Sequence, residues 1–153
     1  MSSILLSFEP EWFHLLECGE KKFEYRKHFP ADLTTAYFYV SSPEKAITGI
    51  ASFGMRESLN DWQVKYQERP QCVKDRIADF SSDCRWAIPV LSFQKTTAIS
   101  LDQLRTDIPG FVVPRMYYYL DNTELLLYLK EKLIPIGPIL ENSFSVIADD
   151  DIC

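Results

Sequence analysis

The chain has few of the residues that build metal and disulfide sites. Its four cysteines form no C-x-x-C pair or other metal-ligand spacing, and its two histidines are not spaced as metal ligands or as partners of a nearby serine. We therefore interpret the cysteines as reduced thiols of a cytoplasmic protein, and we expect no metal and no cofactor.

Long apolar runs are also missing. No stretch approaches the length that spans a bilayer, and the first residues lack the basic region and long apolar core of a secretion signal, so we expect no membrane association. The net charge of -6 argues against a protein that coats long nucleic acids, because affinity for phosphates depends largely on lysine and arginine.

The charge is unevenly distributed along the chain. Lys21, Lys22, Arg26 and Lys27 lie close together, whereas three consecutive aspartates occupy positions 149–151. A local basic patch on an acidic protein can hold one or a few phosphates, although it cannot cover a long duplex.

The 153 residues contain no internal repeat, no low-complexity segment and no linker that would divide them. Alternating and β-branched patterns predict short strands at residues 4–7, 23–26, 35–40, 46–53, 86–90 and 116–120. Helix signals begin near residues 10, 58, 70, 100 and 122, the last of these helices being capped by Asn122. Short strands with inserted helices predict an α+β fold, built on a small, curved, mostly antiparallel sheet or barrel.

Several residues carry finer structural predictions. Trp12 is expected to join Leu15 and Leu16 in the core stripe of the first helix, which Gly19 ends in a left-handed turn. Gly49 predicts a bulge in its strand, and Pro89 places its own strand at an edge or a bulge. Outside these elements, Trp62 and Tyr66 lie one helical turn apart and are the best candidates for a surface that stacks bases.

The most informative segment is Gly19-x-Lys21-x-x-Glu24-x-Arg26, at a joint between helix and strand. Alternation along a strand points Phe23 and Tyr25 to the core, and it points Glu24 and Arg26 outward into a cleft. Lys21 joins Glu24 only if the backbone is irregular at Lys21. The alternative is that Glu24 neutralises Arg26 and only orders the strand.

This segment resembles the G-x-K-x-x-E-x-R signature of the ASCH domain, a branch of the PUA-like superfamily. Similar blocks are Leu5-Leu6-Ser7 with Pro10-Glu11, Tyr39-Val40-Ser41-Ser42-Pro43 with Gly49, Arg85-Trp86-Ala87-Ile88 leading to Ile99-Ser100-Leu101, and Pro114 ahead of Tyr118-Tyr119-Leu120. The resemblance implies a PUA-like β-barrel domain over residues 1–120. Residues 121–153 are predicted to form a C-terminal helix and tail packed on the same domain.

The resemblance implies binding of a nucleotide, a nucleoside or a short single-stranded RNA, since most members are proposed RNA binders. The candidate ligand-binding residues are Gly19, Lys21, Lys22, Glu24, Arg26, Lys27, Ser41, Ser42 and Arg115. The sequence departs from the pattern at Glu9, where many relatives carry a basic residue, and at Val113-Pro114-Arg115-Met116, where relatives often have Pro-Pro-Gln-Ser. Arg115 restores one positive charge.

Two other functions stay open. A few small bacterial relatives are amidohydrolases that act on acetylcytidine, and others are reported as ribonucleases. In the amidohydrolases the motif lysine is catalytic and a threonine stands where this chain has Glu24, so their mechanism does not carry over. A hydrolase here would use Lys21 and Glu24 as an acid–base pair. The third possibility is an interaction protein that recruits a partner through its C-terminal helix and acidic tail.

Overall fold

The computed structural model describes residues 1–152, and Cys153 lies outside them. The strands are β1 (Ser2–Phe8), β2 (Phe23–Arg26), β3 (Thr34–Val40), β4 (Ala46–Phe53), β5 (Glu57–Ser58), β6 (Trp86–Gln94), β7 (Ile99–Ser100), β8 (Tyr117–Tyr119) and β9 (Leu140–Glu141). The helices are α1 (Pro10–Glu17), α2 (Leu59–Lys65), α3 (Gln71–Asp83), α4 (Leu101–Asp107) and α5 (Glu124–Lys132). A short 3-10 helix follows at Asp149–Asp151.

The strands form one curled sheet in the order β2-β6-β4-β3-β1-β8. Strands β5 and β9 add to β6, and β7 adds to β4. Strand β1 pairs with β3 in parallel, while the other pairs in the described chain are antiparallel. The sheet is a half-barrel, because β2 and β8 end it without pairing to each other in residues 1–152. The predicted α+β fold on a curved, mostly antiparallel sheet is confirmed.

Both faces of the central strands are buried. Ile4 and Leu6 of β1 pack with Phe13 of α1 on one face, and Leu5 packs with the leucines of α5 on the other. Helices therefore cover the sheet on two sides, and this explains why β1 and β3 are nearly continuous in apolar residues. A third cluster joins β2 to α2 and α3 and includes Ile152 near the C-terminus.

The bulge predicted at Gly49 is present in β4. Register with β3 shifts between Tyr37 and Tyr39, and Gly49 has a φ of 82°. Its amide donates to Thr96 Oγ1 at 2.7 Å. Pro89 is not at an edge, since β6 lies between β2 and β4, but it adjoins a second register shift, between Ser52 and Phe53 of β4.

The cap of α5 differs from the prediction. Asn122 is not the N-cap; it lies in the left-handed region with a φ of 60°. Thr123 caps the helix instead, its Oγ1 accepting from the amide of Leu126 at 3.2 Å. The left-handed conformation of Asn122 turns the chain between β8 and the cap. Asparagine is favoured both in such turns and at helix N-caps, so the residue type alone does not show which of the two it forms.

Helix α5 lies against the sheet through Leu125, Leu126 and Leu129, and Leu133, which follows the helix, belongs to the same cluster. The division of the chain at residue 120 stays a prediction. Within residues 1–152, no helix has the length and apolar character needed to cross a membrane.

Replacing Gly49 with alanine is expected to lower the free energy of unfolding by about 2–4 kcal/mol. A Cβ there would lie 2.9 Å from the Phe13 ring and 3.1 Å from Phe93, in addition to the strain of a positive φ. Urea denaturation monitored by fluorescence measures the loss. The control is Gly110→Ala, which has a similar φ of 77° and nothing within 4 Å of the added carbon. That variant should lose only about 1 kcal/mol, and equal losses in the two proteins would refute the crowding at Gly49.

Candidate functional site

A cavity of about 780 Å³ opens where α1 ends and β2 begins. Its wall combines the end of β1, the motif segment, one side of α3, the loop before β8 and the C-terminal 3-10 helix. The lining includes Ser7, Phe8, Glu9, Trp12, Glu20, Lys21, Lys22, Glu24, Tyr25, Arg26, Lys27, Ser41, Arg76, Phe80, Cys84, Arg115, Asp150 and Asp151. The motif thus lines a concave space of the size that small-molecule sites have.

The backbone after α1 brings Lys21 to the side of Glu24. Gly19 ends the helix with a φ of 77°. The amides of Glu20 and Lys21 then both donate to the carbonyl of Leu15, at 3.0 and 3.1 Å. Regular strand geometry starts only at Phe23. Lys21 is therefore outside the alternation of β2, and its Nζ lies 3.4 Å from Glu24 Oε1.

Glu24 is a buried carboxylate whose acceptor positions are filled. It is 7% exposed. Its Oε1 accepts from the amide of Tyr25 at 3.0 Å and contacts Lys21, while Oε2 accepts from Nε and Nη2 of Arg26, both at 3.1 Å. A carboxylate offers about four lone-pair positions. All of them are engaged by the protein itself.

Arg26 is held by a second strand as well. Its Nη2 donates to the carbonyl of Ser7 in β1 at 3.1 Å, and its guanidinium lies 5.5 Å from the Phe8 ring. The fork that would grip a phosphate at two points is thus directed at Glu24. The ion pair between Glu24 and Arg26 that the sequence left as an alternative is present, and it connects β2 to β1.

Lys21 keeps donors for a ligand. Its side chain is 12% exposed and lies between the rings of Trp12 and Tyr25, with Nζ 5.6 and 5.4 Å from their centroids. An ammonium group has three donors, and the contact of Nζ with Glu24 is an ion pair at 3.4 Å. The placement of Trp12 in the core was wrong: it is 44% exposed and lines the cavity, whereas Phe13 and Leu16 form the buried stripe.

The other predicted site residues divide into three groups. Lys27 and Arg115 line the cavity, are exposed, and have no hydrogen bond or ion pair in the described chain. Lys22 lines it but is paired with Asp151, at 3.3 Å. Ser41 also lines it, whereas the neighbouring serine at position 42 and the glycine at position 19 do not.

The prediction that Trp62 and Tyr66 form a surface that stacks bases was wrong. Trp62 is 1% exposed and Tyr66 is 5% exposed, and both belong to the cluster between α2, α3 and β2. Trp62 packs edge-on against Phe23, with ring centroids 4.9 Å apart. A polar-rich helix therefore presents its aromatic residues inward, whereas Trp12, which was expected in the core, is an exposed aromatic side chain of the cavity wall.

Two parts of the site were missed from the sequence. Arg76 and Phe80 lie one turn apart on α3, a spacing that places them on one face of a helix. The Phe80 ring stacks on Tyr25 at 3.6 Å with an interplanar angle of 13°. The second part is the acidic segment with Asp150 and Asp151, for which no local signal exists, because only the tertiary fold brings it to the cavity.

Burial affects two titratable groups of the wall. It raises the pKa of the Tyr25 phenol strongly, and the Tyr25 hydroxyl has no hydrogen-bond partner in residues 1–152. Burial, and then the charge of Glu24, raise the pKa of the Cys84 thiol. Both groups therefore stay protonated at neutral pH, and neither is a nucleophile there.

Comparison with solved structures identifies the fold of this chain. No protein-family model and no curated protein matches the sequence significantly. The solved ASCH protein of Zymomonas mobilis is 21% identical, with a TM-score of 0.65 over 87% of this chain and 96% of that one. Two single-residue variants of the Zymomonas protein match similarly, at 20% identity. Their TM-scores are 0.64 over 88% of this chain and 100% of that chain, and 0.62 over 85% and 96%. The chain therefore has the ASCH-domain fold.

Replacing Tyr25 with phenylalanine is expected to leave stability unchanged or raise it by about 1 kcal/mol, because the buried hydroxyl has no partner. The gain should grow above about pH 10. There the Tyr25 phenol ionises in the unfolded chain but stays protonated in the folded protein, whose Tyr25 pKa is raised, so the wild type loses stability. Urea titrations at about pH 8 and about pH 11 measure this. The control, Tyr118→Phe, removes a 2.7 Å hydrogen bond to the Val112 carbonyl and should cost about 1 kcal/mol. A loss at Tyr25 as large as that at Tyr118 would contradict the unpaired hydroxyl.

Proposed function

Since the chain has the ASCH fold, we propose that it is an ASCH-type binding module that holds a nucleotide or a short single-stranded RNA in this cavity. The observation that carries the proposal is a difference between the charged groups of the cavity: the buried carboxylate is engaged by the protein, and several cations are not. Glu24 is saturated by the protein, whereas Lys21, Lys27 and Arg115 keep donors that point to the cavity or line it. Such a site has donors for an anionic ligand and has no free acceptor at its buried carboxylate.

A phosphate group fits the free cations. Lys27 and Arg115 are neutralised by no carboxylate in residues 1–152, and they lie on the same cavity as the Lys21 ammonium. Hydrogen bonds from such groups to phosphate oxygens are charge-assisted and about twice as strong as neutral ones. The net charge of the chain restricts this attraction to the cavity and keeps it local.

A base fits the aromatic wall. Trp12 exposes its ring beside Lys21, and Tyr25 with Phe80 forms a stacked pair on the α3 side of the same cavity. Stacking of a base on an aromatic ring contributes about 1–3 kcal/mol and tolerates any base. The cavity thus combines an apolar wall with cations, as a nucleotide requires.

The hydrolase alternative has less support from the geometry. A general base needs a free lone pair within reach of the water that it activates. Both oxygens of Glu24 are occupied, so Glu24 would have to release Lys21 or the Tyr25 amide before acting. Its role in the proposed site is to hold the two cations in place. Turnover of acetylcytidine by the wild-type protein would instead favour the hydrolase. A cytoplasmic location is part of the proposal, on the cysteine pattern alone.

Lys27→Ala and Arg115→Ala are each expected to weaken binding of nucleoside 5′-monophosphates and of a short single-stranded RNA. For the RNA, each should also reduce the slope of log affinity against log salt by about 0.7, because one phosphate contact is lost. Titrations at several salt concentrations measure the slope. The control is Lys130→Ala, an exposed lysine on α5 outside the cavity. No salt-sensitive binding by the wild-type protein to any of these ligands would refute the proposed function.

Trp12→Ala is expected to weaken binding of the same nucleotides by about tenfold or more, through loss of base stacking. Because the side chain is 44% exposed, the urea midpoint should change little. Fluorescence quenching or calorimetry measures the affinity. Tyr119→Ala is the matched control, since Tyr119 is 53% exposed and lies on β8 away from the cavity wall. Equal affinity of the Trp12 and Tyr119 variants would show that the base does not stack on Trp12.

A further inference from the structure

We propose that the acidic C-terminal segment, residues 148–152, closes one end of the cavity to phosphate. The cavity then takes a ligand with phosphate at one end only, which is a mononucleotide or the terminal nucleotide of a chain, and not an internal nucleotide of RNA. This inference rests on the proposed function and narrows it. It is carried by the position of the segment, by its anchoring and by the distribution of charge along the cavity.

The segment is fastened to the domain at several points. Asp151 pairs with Lys22 at 3.3 Å and accepts from the amide of Ala148 at 2.8 Å. Arg69 donates to Asp149 at 2.8 Å and to the carbonyl of Ile147 at 2.6 Å. The side chain of the residue after the 3-10 helix, Ile152, is 4% exposed and lies in the cluster of α2, α3 and β2. The aspartates are thus held against the cavity wall.

Strand β2 separates the two ends of the cavity. Lys22 precedes this strand and Lys27 follows it, so about 17 Å of extended chain separates the two residues. Asp151 is at the Lys22 end. Arg115 is at the other end, because Arg26 donates to the Ser7 carbonyl and the Ser7 hydroxyl donates to the carbonyl of Pro114.

The two ends differ in charge. Beside Lys22, the lining carboxylates include Asp151, which pairs with Lys22, and the adjoining Asp150. Asp150 is exposed and has no cationic partner in the described chain. Toward Arg115, Arg26 is paired with Glu24, and the remaining lining charges include the cations Lys27 and Arg115 and the carboxylate of Glu9.

This polarity decides which ligands fit. A mononucleotide can direct its phosphate to Lys27 and Arg115 and its uncharged donors, the sugar hydroxyls and base amines, to the aspartates, which are acceptors. An internal nucleotide carries phosphate on both sides, so one phosphate would face Asp150 and Asp151. The negative charges of that phosphate and of the aspartates repel each other. Lys22 does not offset this repulsion, because it is already neutralised by Asp151.

The test compares a nucleoside 5′-monophosphate with a tetranucleotide of the same nucleotide that carries phosphate at both ends, on the full-length protein. Every nucleotide of that tetranucleotide has phosphate on both sides, so none can bind as a free terminal nucleotide. The wild type should bind the mononucleotide more tightly. Asp150→Asn and Asp151→Asn should each tighten binding of the tetranucleotide by about threefold to tenfold. Neither variant should tighten binding of the mononucleotide, because its uncharged donors face these side chains. Asp149→Asn is the matched control, because it removes the same charge from the same 3-10 helix but breaks a pair with Arg69 rather than with Lys22.

The outcomes distinguish a failure of this inference from a failure of the proposed binding function. If the wild type binds the tetranucleotide at least as tightly as the mononucleotide, or if all three asparagine variants behave alike, the inference is overturned while the binding module stands. If neither ligand binds, both fail. Hydrogen exchange of the free protein gives a check that needs no ligand, since the amides of Asp151 and Ile152 donate to Ala148 and Asp149 and should be protected. Free exchange of those amides in the folded protein would also overturn the inference.

Discussion

The buried carboxylate of Glu24 is the interaction on which the site depends. A charge taken out of water is tolerated only when it is paired and hydrogen-bonded. Glu24 meets this condition through an ion pair with Lys21, which lies in the irregular turn after α1, and an ion pair with Arg26 of its own strand. Arg26 in turn bonds to the Ser7 carbonyl of β1, so one carboxylate ties the motif to the far strand of the half-barrel. The position of the Lys21 ammonium follows from this arrangement.

The same arrangement favours recognition over reaction. A saturated carboxylate has no lone pair for a water molecule, and the nearby phenol and thiol of Tyr25 and Cys84 are kept protonated by burial. What the cavity presents instead is the face of Trp12 and a set of cations with unused donors. In this chain of net charge -6, Asp150 and Asp151 line the same cavity beside Lys22.

Local patterns predicted the frame of this site well, for identifiable reasons. The end of α1 at Gly19 and the bulge at Gly49 depend on a backbone conformation that glycine adopts readily, so each residue carries its own signal. Predictions about which side a residue faces were weaker. Trp12 is exposed and Trp62 buried, the reverse of expectation, because the burial of an amphipathic aromatic depends on what packs against its helix. Asn122 suits both a turn and a cap, and Thr123 takes the cap.

The sequence by itself determined the α+β class, the resemblance to the ASCH domain and the segment in which Lys21, Glu24 and Arg26 meet. These depend on short-range periodicity and spacing, which are written in neighbouring residues. Only the tertiary structure decided that Glu24 is saturated, that Arg76 and Phe80 of α3 join the wall, and that the acidic segment turns back to pair with Lys22. Contacts between distant parts of a chain depend on how whole elements pack, and no local pattern records that packing.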